Sequence, residues 1–188
     1  MAGTTENERG RGGNRWRMAV WGTAALILLL PLLAMQFTEK MAWDPADFAI
    51  FGAMLVGACG TYELAARVTG NNAYRAAVGV ALAAAFILVW MNLAVGIIGN
   101  EDNPANSMYG GVLAVGIIGA IIVRFQPRAM ARALVATALA QALVAVIALI
   151  AGLGCTLILT AFFVALWLTS ARLFRKAAWE QTSAGAAS

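Results

Sequence analysis

Few side chains in this 188-residue chain have types that do chemistry, and they are scattered. Glu63 precedes Arg67 by four residues, which puts a carboxylate and a guanidinium on one helix face in the favourable order. That pair is either a local ion pair or, if it faces a polar path, part of a proton or cation relay. Asn92 and Gln141 stand in otherwise apolar runs, where an amide either bonds between helices or lines a solute path. In NEDNPAN, residues 100–106, Glu101 and Asp102 with Asn100, Asn103 and Asn106 offer oxygens to a hard cation such as calcium. The competing reading is a solvated loop in which Asn106 or Ser107 caps the next helix, and the ordered spacing of a calcium loop is absent. Histidine is missing and there are two cysteines, so a transition-metal site, a haem or an imidazole-based acid–base centre is not expected. No cofactor is expected either.

The elements that must position these groups are membrane helices. The sequence is 62% hydrophobic and 12% charged, too apolar to dress the surface of a water-soluble domain. A spanning helix needs roughly 20 apolar residues to cross about 30 Å of hydrocarbon. Runs of that kind lie at 18–37, 47–66, 75–99, 107–124, 131–152 and 155–174. The last two form one apolar stretch without a polar break. As a single helix it would be about 60 Å long, twice the hydrocarbon thickness, so it must fold back. Gly152-Leu153-Gly154 is the expected bend, because glycine accepts the left-handed conformation that ends helices. The expected fold is therefore an all-α integral membrane protein, a bundle of six transmembrane helices.

Basic residues test that count, because Lys and Arg are retained in cytoplasmic segments beside spans. With the N-terminus inside, six spans put Arg9, Arg11, Arg15, Arg17, Arg67, Arg75, Arg124, Arg128, Arg132, Arg172, Arg175 and Lys176 on the cytoplasmic side, and only Lys40 outside. Both termini are expected to be cytoplasmic. The same placement explains the net charge of +4 without a nucleic-acid partner. The first apolar region is long for a signal peptide and its LLAMQF exit lacks an A-x-A-like site, so it is expected to stay as a span. Residues 1–16 and 177–188 are short and polar, and read as disordered tails.

Depth follows from the helical rise. Glu63 falls about 24 Å below the outer entry of the second span, close to the cytoplasmic interface, and Gln141 about 15 Å into the fifth, near the midplane. Rows of small residues let helices approach closely: Ala53, Gly57 and Thr61; Ala73, Ala77, Ala81 and Ala85; Gly116 and Ala120; Ala129, Ala133, Thr137 and Ala145. Gln141 continues the last row, so an interhelical hydrogen bond is its simplest role, and Asn92 is expected to act similarly. Trp16, Trp21, Trp43, Tyr74, Tyr109 and Trp179 fall near span ends, as interfacial anchors do, whereas Trp90 lies deeper and is expected to fill a packing gap. Cys59 and Cys155 fall at different depths, which disfavours a disulfide between them.

The heptapeptide LAVGIIG occurs at 93–99 and again at 113–119, but its flanks do not match, so convergence on one packing demand is preferred to duplication. The segments YELAAR, YRAAVG, WMNLAVGIIGNEDNPAN, GVLAVGIIGA, RFQPRAMARAL and ATALAQALVAVIALIAG together resemble a family of small bacterial multi-pass membrane proteins without an assigned activity. The resemblance covers roughly residues 30 to 175 and implies a bacterial membrane protein, whose expected location is the inner membrane. It carries over no catalytic or binding residue. The expected function is a non-catalytic membrane component or accessory subunit, with the lipid bilayer and other membrane subunits, or a second copy of itself, as partners. The alternative is a small transporter or channel built on Glu63, Asn92 and Gln141. An enzyme is not expected, because Asp47, Glu63, Glu101 and Asp102 fall on different sides and depths.

Overall fold

A computed structural model of the chain describes residues 4–37, 43–100, 102–153 and 156–186. Among these residues all regular structure is helical: α1 (Thr4–Phe37), α2 (Pro45–Val68), α3 (Asn72–Ala94), a 3-10 helix (Pro104–Ser107), α4 (Met108–Ile122), α5 (Pro127–Ile150) and α6 (Leu157–Ala186). Six helical segments are long and apolar enough to cross a membrane, the fourth of them including the 3-10 turn. The six-helix expectation therefore holds at the level of element and composition. The chain divides into two units, residues 1–64 and 65–188.

In the first unit α1 and the body of α2 run antiparallel. Arg17 near one end of the apolar stretch meets Glu63, and Leu28 further along lies opposite Gly52, where a Cβ would stand 3.9 Å from its Cδ1. Asp44 starts α2 by accepting from the N–H groups of Ala46 (2.7 Å) and Asp47 (2.9 Å), while Asp47 accepts from the Asp44 N–H at 3.0 Å. This reciprocal capping satisfies donors that have no partner within the helix, and Pro45 has none to satisfy. Trp43 packs edge-on against Phe48 and Phe51.

In the second unit α5 is the central helix. It packs against α4 on one side and α6 on the other, and α3 lies against α6. Its buried face carries Ala131, Ala133, Leu134, Thr137, Ala138, Gln141, Val144, Ala145 and Ala148. The opposite face, with Leu139, Leu143, Val146, Ile147 and Ile150, is exposed apolar surface of the kind lipid covers. Small residues permit the close approaches. The Ser170 hydroxyl of α6 donates to the Ala77 carbonyl of α3 at 2.7 Å, and a Cβ on Gly119 of α4 would stand 3.0 Å from the Cβ of Ala133.

Two helix ends share one closure and use different residues for it. At the end of α5, Leu153 N–H donates to Ala148 (2.9 Å) and Gly152 N–H to Leu149 (3.2 Å), with Gly152 at φ +67°. This Schellman geometry is the bend expected at Gly152; Gly154 and Cys155 lie outside the described residues. At the end of α4 the same pair of bonds runs from Phe125 to Ala120 and from Arg124 to Ile121, but the left-handed residues are Arg124 (φ 49°) and Phe125 (φ 58°). A non-glycine there costs roughly 1–2 kcal/mol. Tyr74 holds the turn from α3: its hydroxyl donates to the Phe125 carbonyl at 3.0 Å while its ring meets Phe174 edge-on. Pro127 then opens α5 at a position where no N–H is needed.

Several expectations change. The segments read as disordered tails are helical, α1 from Thr4 and α6 to Ala186. Propagating an existing helix costs far less than nucleating one. At the C-terminal end tertiary bonds add to this: Asn71, which caps α3 through Tyr74 N–H, donates to Glu180 at 2.8 Å, and Arg128 donates to Thr182 at 3.0 Å. The third helix stops at Ala94, not at 99. Trp90 is 39% exposed and does not fill an internal gap, whereas Tyr109, expected at an interface, is 1% exposed. The Ala53, Gly57 and Thr61 row of α2 is exposed.

Candidate functional site

Glu63 is held from α1. Its Oε1 lies 2.7 Å from Arg17 Nε and its Oε2 accepts from the Trp21 indole N–H at 3.2 Å. Sequence spacing pointed only to Arg67, which sits in the last turn of α2. Arg17 and Trp21 are one turn apart, so a single face of α1 presents both donors to both carboxylate oxygens. The Glu63 side chain is 17% exposed, which strengthens the pair relative to one in open water.

The polar insert is a built loop. α3 ends with Val95 donating to Met91, and Gly96 (φ +67°) and Gly99 (φ +72°) turn the chain so that Ile97 and Ile98 point inward and are buried. Unwinding leaves their backbone groups without helical partners, and Asn106 supplies them. Its Oδ1 accepts from Ile97 N–H (3.0 Å) and Ile98 N–H (2.8 Å), and its Nδ2 donates to the carbonyls of Ile98 (3.3 Å) and Asn100 (2.6 Å). Asn92 reaches from the last turn of α3 to donate to the Asn106 carbonyl at 3.2 Å. Asn103 caps the 3-10 helix by accepting from Ala105 N–H at 3.0 Å.

These bonds change the capping reading of residues 100–106. Neither Asn106 nor Ser107 is a side-chain cap of the following helix: Asn106 clamps the preceding segment, and the Ser107 hydroxyl donates back to the Pro104 carbonyl. Both lone-pair directions of the Asn106 amide oxygen are taken by N–H groups, and that of Asn103 accepts one. Asp102 is exposed, and Glu101 lies outside the described residues. Among the described residues no three His, Cys, Asp or Glu side chains group to hold a metal.

Gln141 is fully buried, yet neither atom of its amide has a hydrogen-bond partner. Two other buried hydroxyls of this core are turned to carbonyls: Thr137 donates to Ala133 (3.0 Å) and Ser170 to Ala77. Trp167 of α6, whose indole N–H is also buried and unpartnered, stands at the same height, both residues lying about 15 Å from the turn between α5 and α6. Leaving such an amide unmatched costs about 1–3 kcal/mol.

Asn92 and Gln141 are therefore not brought together: one is bound into the loop end of the bundle, the other lies at mid-height in its core. The loop end holds a second polar group that sequence reading passed over. Tyr109 is buried beside Thr156, without a hydrogen bond of good geometry, and Thr160 follows one turn along α6. The available signal was spacing: Tyr109 follows Asn106 by three residues and so shares its face. Arg17 and Trp21 were legible only as a basic flank and an interfacial ring. No family model, no curated protein and no solved structure matches the chain.

Proposed function

We propose that the chain is a non-catalytic component of a bacterial inner membrane, an accessory or assembly subunit with both termini in the cytoplasm. The observation that carries this reading is the state of Glu63. It is the acidic residue that the sequence places furthest from the start of its span, and both of its oxygens are engaged by Arg17 and Trp21. A relay needs a carboxylate that exchanges its proton or cation with a path, and a charge-assisted pair of this kind opposes that exchange. Asn106 is likewise occupied with the backbone of its own loop, and the Asn92 amide nitrogen donates to the same loop. Exposed apolar surface on α4, at Ile117, Ile118, Ile121 and Ile122, suits lipid or a neighbouring subunit.

Purified protein in proteoliposomes is expected to give no ion or solute flux above empty vesicles, and to leave mild detergent with other membrane proteins bound. Flux that is abolished by Glu63→Gln or by Gln141→Leu would replace this reading with transport. Gln141→Leu is a usable variant because it removes an unmatched amide from an apolar site.

Sidedness has its own test. In a Cys59→Ser, Cys155→Ser background, a membrane-impermeant thiol reagent added to intact spheroplasts is expected to label Asp102→Cys and to spare Gly70→Cys. Both positions are exposed, so reactivity reports the side and not burial. Labelling of Gly70→Cys alone would invert the topology.

A further inference from the structure

Three buried oxygens at the loop end of the second unit have no hydrogen-bond partner: Asn92 Oδ1, the Tyr109 hydroxyl and Thr160 Oγ1. They come from α3, α4 and α6. Other bonds tie their helices together at this end of the unit, with Thr160 about one turn beyond Thr156. Asn92 is bonded to the Asn106 carbonyl, Tyr109 follows Asn106 by three residues, Tyr109 lies beside Thr156, and Thr160 N–H donates to the Thr156 carbonyl at 2.9 Å. Tyr109 is 1% exposed and Thr160 7%, so bulk solvent does not reach them. Asn92 cannot resolve its deficit by turning its amide over, because that would set its oxygen against the Asn106 carbonyl oxygen.

We infer that this cluster binds internal water, one or two molecules lodged between α3, α4 and α6 beneath the Asn106 loop. The chemistry of the three groups selects that guest. Asn92 Oδ1 can only accept, while the two hydroxyls both donate and accept, so a water molecule donates to the amide and accepts from a hydroxyl. A buried water takes 2–4 such partners, and here it removes three unmet demands at once. A metal cation fits worse. The three free groups are neutral, the oxygens of Asn106 and Asn103 already accept N–H groups, and hard cations take six or more oxygens with carboxylates among them. The inference does not depend on whether the protein is a subunit or a transporter.

Hydroxyl-radical footprinting read by mass spectrometry on the full chain in nanodiscs tests this, since radicals form from water at the site. Tyr109 is expected to oxidise within about threefold of the half-buried Tyr62, while the fully buried Phe174 stays at background. Thr160→Val, which keeps shape and removes one water partner, is expected to lower Tyr109 oxidation at least fivefold, and Asn92→Leu to do the same. Background oxidation of Tyr109 in the unmodified protein overturns the inference whether or not either variant folds. Unchanged oxidation in both variants overturns it too, because the water would then not rest on these oxygens. Oxidation that appears only when N-methylglucamine replaces sodium and potassium assigns the site to a monovalent cation instead.

Discussion

Asn106→Leu is expected to destabilise the protein by about 3–6 kcal/mol, read as a shift in reversible unfolding with SDS in mixed micelles. The side chain makes four bonds to the backbone of residues 97–100 and is 5% exposed. Leucine has a similar size and makes none of them. Two N–H groups at the buried Ile97 and Ile98 then lose their acceptor, and each such group costs about 1–3 kcal/mol. The carbonyls of Ile98 and Asn100 lose their donor as well. Water cannot restore the bonds to Ile98, which is itself 0% exposed. Asn106→Asp separates the two halves of the clamp: it keeps the acceptors for Ile97 and Ile98 and sets a carboxylate oxygen against two carbonyls, so it is expected to lose at least half as much as leucine. Asn103→Ala removes one bond, to Ala105, and is expected to cost about 1 kcal/mol. Equal effects at 103 and 106 would show that the loop is a solvated connection and not a clamp.

The reason Asn106 was not legible in the sequence lies in LAVGIIG. Its two copies are identical in composition and order and adopt different structures. At 113–119 the heptapeptide is helix throughout, and at 93–99 only Leu93 and Ala94 are helical before Val95 ends α3. Hydrophobicity alone reads both copies as parts of spans, and the six apolar helices keep the count. What separates them is long-range: the first copy has Asn106 nine residues on to receive its unwound N–H groups, and the second lies against Ala133 and Thr137 of α5. A helix is the default in an apolar medium because every backbone group is satisfied internally. Leaving it requires a polar side chain at the right place in three dimensions, and spacing along the chain does not announce that. The Gly152 bend shows the opposite case, since a forty-residue apolar run has to turn and glycine is the residue that turns it. Gln141 was legible as a buried position on the small-residue face and misread as to bonding. The periodic row of Ala133, Thr137 and Ala145 fixes the buried face, but whether a partner amide or hydroxyl waits there depends on Thr137 and Ser170, which turn to carbonyls.

Glycines of α4 offer the same contrast in one helix, and Gly119→Leu is expected to cost about 3 kcal/mol while Gly110→Leu costs nothing. A Cβ at Gly119 would stand 3.0 Å from the Cβ of Ala133 and 3.7 Å from its Cα, and a Cβ at Gly116 3.3 Å from Thr137 Oγ1. Cβ atoms do not approach to 3.0 Å, and the neighbour here is a side chain with no freedom to move aside. Leucine must therefore push α4 off α5, which loosens packing along the contact. At Gly110 there is nothing within 4 Å, so leucine gains about 1 kcal/mol of helix propensity without a clash. The two substitutions are chemically identical and differ only in which helix face they occupy. A second change isolates the contact: Ala133→Gly removes the opposing methyl, and combined with Gly119→Ala it is expected to recover most of what Gly119→Ala loses, a coupling of about 0.5–1 kcal/mol. Strict additivity of that pair would mean that α4 and α5 do not meet at these residues. The helix-on-helix packing that carries Gln141, Thr137 and the α4 start of the Asn106 loop would then have to be rebuilt on another face of α5.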